Sequence, residues 1–288
     1  MKRVLVTAGM GMLGHALVRG LRGRTRLGTT VREGLAPSPY PMDMVRVFTG
    51  VDLLDDAALA NVLDAAPWDV LVNAAGMVKQ RKEASDPAAT IAANALLPHR
   101  LAKACRLRGI RLIHFSTDCV FSGLAASNRG AHGYRETDLP DAMDLYGSSK
   151  RLGEVTDAAC LTLRTSIVGP ELRNFSGLAS WFLHQTDASV PGFTRAWFSG
   201  IATPVAADLV AALIDEHPDL SGLYHVAAEP ISKYDLLQLM AARHRPDTTV
   251  LPDAALYCDR RLDGRRFADE TGWRAPDWPS MVEMLGHV

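Results

Sequence analysis

Tyr146, Lys150 and Thr117 are the residues of this sequence whose types and spacing amount to a reaction. Tyr146 and Lys150 stand four apart in Tyr146-Gly147-Ser148-Ser149-Lys150, which on a helix puts both on one side, one turn apart. An ammonium so placed stabilises a phenolate and is expected to lower the pKa of Tyr146. A phenol adjusted in this way can pass a proton to a carbonyl oxygen as hydride reaches its carbon. Thr117, in Ser116-Thr117-Asp118, can add a hydrogen bond to that oxygen. A tyrosine and a lysine four apart are common at surfaces and in packing. What singles this pair out is its place after a glycine turn and two strand ends of small and polar residues.

The elements that must position them begin at the N-terminus. Val4-Leu5-Val6 is a short apolar run suited to a buried parallel strand, and Gly9, Gly11 and Gly14 follow at once, ahead of residues that favour helix. Strand, glycine turn and helix in this order let a pyrophosphate approach amide N–H groups at the positive end of the helix. Leu27 to Val31 reads as a second strand with Arg32 at its end. A carboxylate there would hold the ribose 2′-hydroxyl of NAD, whereas an arginine suits the 2′-phosphate of NADP, or is simply solvated. Residues 33–44, with Pro37, Pro39 and Pro41, read as surface loop. Val45 to Phe48 is a third strand. Asp52 either accepts a hydrogen bond from an adenine amino group or caps the helix beginning near Asp55.

Trp68 to Val72 predicts a fourth strand ending in Asn73-Ala74-Ala75-Gly76, small enough for a cofactor to pass close to the backbone. A helix is expected from about Pro87 to Arg108, and Asn94 within it must find a backbone partner or order water. Arg111 to Phe115 delivers Ser116-Thr117-Asp118 to the same sheet edge as the glycine turn. Strand and helix alternating in this way predict an α/β fold with a doubly wound parallel sheet. Residues 122–141 read as a flexible loop, Tyr146 to Glu154 as helix, and Leu161 to Arg164 as a sixth strand. Regularity weakens over residues 170–200. A dinucleotide-binding domain is therefore expected over 1–168, with a return segment around 203–228, and a smaller substrate-binding domain over 169–202 and 229–288. Within the latter, helices are expected over Leu178 to Gln185 and Lys233 to Arg243, the second capped by Ser232. Val205 starts the returning helix and Gly222 to Val226 the last parallel strand. Arg260, Arg261, Arg265 and Arg266 are either solvated or available to a substrate diphosphate.

Composition narrows the classes. The chain has 288 residues, 48% of them apolar, and a formal net charge of -1, which supports a sizeable core and gives no ground for a nucleic-acid partner. Cys105, Cys119, Cys160 and Cys258 are widely spaced, so reduced cysteines in a cytoplasmic protein are expected, without a metal site. No apolar run reaches the length of a membrane span, and the N-terminus passes almost directly into the first strand, so neither membrane segment nor signal peptide is expected.

Together these motifs resemble the extended short-chain dehydrogenase/reductase superfamily, and within it the dTDP-4-dehydrorhamnose reductase family. The likeness is carried by the glycine turn, by Ala74-Ala75-Gly76, and above all by His114-Phe115-Ser116-Thr117-Asp118-Cys119-Val120-Phe121-Ser122-Gly123, which is similar to the family's HxSTDxVFxG segment. GFTRAWFSG at 192–200, GLYHV at 222–226 and ISKYDLL at 231–237 extend it into the C-terminal half. The resemblance implies Thr117, Tyr146 and Lys150 as the catalytic triad, Lys150 holding both the tyrosine and the nicotinamide ribose. It implies cofactor contacts from Gly9, Gly11, Met12, Leu13 and Gly14, from Arg32, Asp52 and Leu53, and from Ala74, Ala75, Gly76, Asn94 and Ser116, besides Tyr146 and Lys150. The cofactor implied is NADP(H), with NAD(H) the alternative, and the partner is a nucleotide-linked sugar; a homodimer is left open. Two departures stand out. Ala8 occupies the place of the family's first glycine, and Ile167 stands where many rhamnose-forming members carry tryptophan, which removes an aromatic face for a sugar ring. The activity implied is reduction of a nucleotide-linked 4-keto-6-deoxy sugar. The alternatives are an epimerase or dehydratase of the same fold and a non-catalytic NADP-binding regulatory subunit.

Overall fold

The computed structural model describes residues 1–32, 44–79, 82–124 and 132–286. The proline-rich stretch read as surface loop lies outside the described residues except for Met44, as does 125–131 of the expected flexible loop. At its centre is a parallel sheet of seven strands: β1 (Arg3–Val6), β2 (Arg26–Thr30), β3 (Val45–Phe48), β4 (Val70–Asn73), β5 (Arg111–Phe115), β6 (Cys160–Arg164) and β7 (Gly222–His225). Their order is β7-β6-β5-β4-β1-β2-β3. β1 pairs with β2 on one side and β4 on the other, Leu5 lying opposite Gly28 and Leu71, so strand order reverses there and opens a crevice at the carboxyl ends. These strands read as apolar runs because both sheet faces are covered: Val4, Leu5, Val6, Leu71, Val72, Leu112 and Ile113 are buried. Gly28 is required because a Cβ would strike the Trp68 ring, which is fixed by its Nε1–H donating to Val62 O at 3.0 Å.

Two compact units divide the chain, one comprising Met1–Ser116, Ser149–Leu163 and Ala206–Leu223, the other Thr117–Ser148, Arg164–Val205 and Tyr224–Val288. In the first, α1 (Met12–Leu21) follows β1 directly and α2 (Asp56–Asp64) is capped by Asp55, whose carboxylate accepts from Ala58 N at 2.8 Å. Leu59, Val62, Leu63, Trp68, Leu101 and Ile110 close the core on that side. The segment expected as one helix over Pro87 to Arg108 is α3 (Pro87–Ile91), a π-turn (Ala92–Leu96) and α4 (Leu97–Arg106). The cause lies in Pro98, which has no N–H to offer the Asn94 carbonyl four residues earlier, so the ladder widens there. α5 (Leu145–Leu152) runs through the boundary between the units.

The second unit holds α6 (Leu178–Leu183), short sheets and α8 (Lys233–His244), which packs on them, while α7 (Thr203–Asp215) returns to the first unit. Ser232 caps α8 as expected, accepting from Asp235 N at 3.0 Å. The stretch around Arg195 forms two strands, Ser189–Phe193 and Ala196–Phe198, with Arg195 between them. Within the expected flexible loop, Tyr134 is a core residue: its amide donates to Arg261 O at 2.8 Å and its ring stacks on Phe121, centroids 4.0 Å apart.

The glycine turn divides its labour in a way the spacing alone does not reveal. A Cβ on Gly9 would run into the Thr29 side chain and one on Gly14 into the Ala8 carbonyl, so these two allow β2, the turn and α1 to close on each other. Gly11 is the N-cap of α1, and no side chain caps that end. Ala8 holds φ at +54°, a left-handed conformation costing an L-residue roughly 1–2 kcal/mol. It is kept there by Ala8 N–H donating to Thr30 Oγ1 at 3.2 Å and by Gly11 N–H donating to Ala8 O at 2.8 Å. Ala8→Gly is therefore expected to raise stability by up to about 1 kcal/mol, the relief of strain outweighing the added freedom of the unfolded chain. Urea unfolding checks it, and a lower midpoint in the glycine variant would contradict the strain.

Candidate active site

All of the residues expected to contact a cofactor, except Tyr146, lie in the first unit. Gly11 opens α1, and the amides of Met12 and Leu13 sit in a first turn without a capping side chain or an acidic residue, which leaves a helix N-terminus ready for an anion. Arg32 lies exposed just beyond β2. Asp52 accepts from Leu54 N at 3.0 Å, and the cap of α2 belongs to Asp55, not to Asp52. Leu53 is buried in the core.

Beneath the ends of β1, β4 and β5 runs a buried polar seam. Thr7 donates its hydroxyl to Asn73 Oδ1 at 2.8 Å and accepts from the amides of Ala74 and Ala75 at 3.0 and 3.1 Å. Asn73 Nδ2 donates to His114 Nδ1 at 3.0 Å, an arrangement that leaves the ring proton on Nε2. Burial holds His114 well below the usual imidazole range, and the charge of Lys150 acts the same way. The seam sets the course of Ala74-Ala75-Gly76. A Cβ on Gly76 would come within 3.2 Å of Asn94 Oδ1 and 4.0 Å of Lys150 Nζ, so the bare backbone here keeps the floor of the crevice open.

Asn94 is fully buried and its amide is taken up by the backbone: Oδ1 accepts from Met77 N at 2.7 Å, and Nδ2 donates to Met77 O at 3.0 Å and Ser149 Oγ at 3.2 Å. Of its two expected roles, the side chain takes the backbone-binding one. It ties the π-turn to the segment after β4 and to the start of the lysine's turn of α5. Gly153 seals this junction, since a Cβ there would lie on the Asn94 carbonyl. Lys150 is 6% exposed and donates Nζ–H to Phe115 O at 2.7 Å. Burial draws its pKa down to about 8, and the Glu154 carboxylate works in the opposite direction. Ser116, expected as a cofactor contact, donates its hydroxyl to Glu154 Oε1 at 2.7 Å.

Thr117 and Tyr146 belong to the second unit. Thr117 Oγ1 accepts from Cys119 N at 3.1 Å and donates to Asp118 Oδ1 at 3.2 Å. Its hydroxyl also shares a hydrogen bond with Tyr146, so the two sequence-distant residues meet. Asp144 caps α5 through Gly147 N at 2.8 Å. Gly147 brings the helix against the 118–120 turn; a Cβ there would strike the Cys119 carbonyl and Ala142. The expectation of a lowered tyrosine pKa is corrected. Burial raises the Tyr146 hydroxyl above the ordinary phenol value, Cys119, Asp118 and Asp144 add to this, and the Thr117 hydrogen bond opposes it. Asp118 is itself buried, and burial raises its carboxyl against the pull of Arg260 and Lys233.

The tail arginines all have partners within the protein, and Arg265 and Arg266 remain solvent-exposed. Arg260 donates to the carbonyls of Phe121 and Ser122 at 2.8 and 3.4 Å, Arg261 pairs with Asp259 at 2.8 Å and Arg265 with Asp263 at 2.6 Å, and Arg266 lies 3.5 Å from Glu270 and over the Tyr224 ring. His225 is buried between Tyr134 O and Arg164 Nη1. Ile167 lies in a short strand with Val168, paired to Ile201–Ala202. Sequence reasoning missed Ser149, Gly153 and Glu154 as supports of Lys150. The signals were Pro98 four residues after Asn94 and Glu154 four residues after Lys150.

Comparison with known proteins gives the same outline. The chain is 32% identical over 238 residues, 78% of its length and 74% of the other's, to a protein named probable low-salt glycan biosynthesis reductase Agl14 of Haloferax volcanii. It is 28% identical over 268 residues to the dTDP-4-dehydrorhamnose reductase of Streptomyces griseus, covering 86% of this chain and 80% of that one. Among solved structures, the Bacillus anthracis dTDP-4-dehydrorhamnose reductase in complex with NADP superposes with a TM-score of 0.77 at 19% identity, covering 99% of this chain and 98% of that one; at that identity the likeness is one of fold. The family model for the RmlD substrate binding domain matches residues 1–255, a span that takes in the glycine turn, the Ser116-Thr117-Asp118 strand end and α5, and the chain belongs to that family.

Proposed function

We propose that this chain is an NAD(P)H-dependent reductase of a nucleotide-linked 4-keto-6-deoxy sugar, dTDP-linked as in the relatives named for that activity. The observation that carries the reading is the meeting of Thr117 with Tyr146, on a helix that presents Lys150 one turn later. The residues present suit a dinucleotide. Gly11 and the uncapped amides of Met12 and Leu13 would hold its pyrophosphate, Arg32 the 2′-phosphate, and Gly76 leaves the backbone bare beside Lys150. When bound, dihydronicotinamide supplies the hydride that reduces the ketone carbon.

Tyr146 keeps its proton across the neutral range and delivers it to the ketone oxygen as negative charge develops there. Thr117 steadies that oxygen by turning its one hydroxyl proton from Asp118 Oδ1 to the substrate, its Oγ1 still held by Cys119 N. Lys150, charged below about pH 8, places its ammonium one helical turn from the reacting phenol. We assign the cofactor to the segment 1–168 with its return over 203–228, and the sugar nucleotide to 169–202 and 229–288. Ile167 in place of an aromatic residue favours a keto-sugar other than the rhamnose precursor.

NADPH oxidation with freshly generated dTDP-4-keto-6-deoxy sugars, with and without a 3,5-epimerase, tests the reading. Turnover that needs the epimerase identifies the rhamnose-forming step, and turnover without it a different deoxysugar. An epimerase or dehydratase would convert the sugar without net consumption of NADPH. Binding of NADPH without conversion of any of these sugars would defeat the reductase assignment. Arg32→Ala is expected to raise the KM for NADPH by about 10- to 100-fold, the range of a lost charge-assisted phosphate contact, and to leave that for NADH near its original value. Equal losses with both cofactors would remove Arg32 from the 2′-phosphate.

A further inference from the structure

We propose that Glu154 is a positioning residue for Lys150, its carboxylate anchoring the strand end that holds the ammonium and its charge keeping that ammonium protonated. The inference rests on the reductase reading for its catalytic consequence and on geometry for its physical content. Lys150 is a buried cation whose Nζ donates to Phe115 O at 2.7 Å. The next residue of that strand end, Ser116, donates its hydroxyl to Glu154 Oε1 at 2.7 Å. Glu154 follows Lys150 by four residues, just past the end of α5, where Gly153 N–H still donates to Ser149 O at 3.1 Å. One carboxylate therefore ties down the segment whose carbonyl receives the lysine and, four residues from it, acts on the lysine's charge as well.

The charged and titratable groups around Lys150 leave this task to Glu154. On β5, His114 is kept neutral by burial and by Lys150 itself. His99, on α4, engages Leu152 O through Nε2 at 2.7 Å and faces His114 as a further potential positive group. Asn94 and Ser149 are uncharged partners of one another. Arg151, the next residue on α5, is exposed. Burial takes the lysine down to about 8, so any further loss would discharge it at neutral pH, and Glu154 is the group that opposes burial. A purely structural strap to Ser116 would be served equally by glutamine, whose Oε1 accepts the same hydrogen bond. What glutamine lacks is the charge.

The test uses the full chain with ¹³Cε-labelled lysine. The sequence holds six lysines, Lys2, Lys79, Lys82, Lys103, Lys150 and Lys233, so the spectrum is sparse, and Lys150→Met assigns the resonance. In the wild type the Lys150 signal is expected to titrate near pH 8. Glu154→Gln is expected to move that midpoint down by about one pH unit, the low end for removing an adjacent opposite charge. The alkaline limb of NADPH oxidation moves with it, giving about a threefold loss at pH 7.5 that recovers below about pH 6. Glu154→Asp, which draws the charge back by one methylene, gives an intermediate midpoint and serves if the glutamine variant does not fold. An unchanged Lys150 midpoint in the variants overturns the proposal, and so does a shifted midpoint with an unmoved alkaline limb. If the wild type oxidises no NADPH with any sugar, the reductase reading fails, and the lysine titration still decides whether Glu154 holds the charge.

Discussion

Tyr146→Phe is expected to lower NADPH-dependent reduction of the keto-sugar by about 10²- to 10⁴-fold, the usual contribution of a positioned general acid. The substitution removes one oxygen and leaves the ring. Thr117 keeps Cys119 N and Asp118 as partners, and α5 keeps its Asp144 cap, so the fold has little reason to change. NADPH binding, followed by its fluorescence, should stay within about twofold of wild type, because the phosphate-binding candidates, on α1 and at Arg32, are other residues than the phenol and are left unchanged. The pH profile carries a second signature. Since the Tyr146 hydroxyl is raised above the ordinary phenol range and Lys150 is drawn down to about 8, activity should decline as pH rises through about 8 through loss of the lysine's proton, with the tyrosine still protonated. A phenylalanine variant that keeps more than a tenth of wild-type kcat would mean that another group supplies the proton.

Gly153→Ala should unfold the chain at markedly lower urea concentration, with a loss of about 2–4 kcal/mol. The added methyl would occupy the position of the Asn94 carbonyl. A long side chain could swing aside; a backbone carbonyl inside a helix cannot. Either the π-turn shifts, which breaks the Asn94 bonds to Met77 and Ser149, or the end of α5 lifts, which draws Lys150 from Phe115 O and Glu154 from Ser116. Activity should therefore fall further than the unfolded fraction accounts for, since both routes disturb Lys150. An alanine variant with a wild-type unfolding midpoint would show that the α5 end and the π-turn are not in close contact in solution.

Much of the fold follows from neighbours along the chain. β1, β3 and β5 lie where short apolar runs put them, α2 starts within a residue of its expected place, and Ser232 caps α8, because strand runs and caps are decided by residues within one turn or one strand of each other. The candidate site is partly of this kind. The glycines between β1 and α1, the four-residue spacing on α5 and the small residues after β4 all carry local signals. The sequence also named Thr117 as a partner for the tyrosine without being able to place the two together.

What the tertiary structure alone decided concerns burial and partners brought from far along the chain. Pro98 can free a carbonyl in any helix, but that carbonyl matters here because Gly153, 59 residues after Asn94, packs against it. The arginines of the tail look free in sequence and are in fact tied to Asp259, Asp263, Glu270 and the carbonyls of Phe121 and Ser122. Tyr134, within a stretch that reads as loop, is packed by Phe121 and Leu262. Tyr146 is the clearest instance. The sequence determined that a lysine stands one helical turn from it, which by itself lowers a phenol's pKa. The fold surrounded that phenol with Thr117, Asp118, Cys119 and Asp144 and half-buried it, and desolvation, which penalises the charged form whatever its neighbour in sequence, set the direction of the shift.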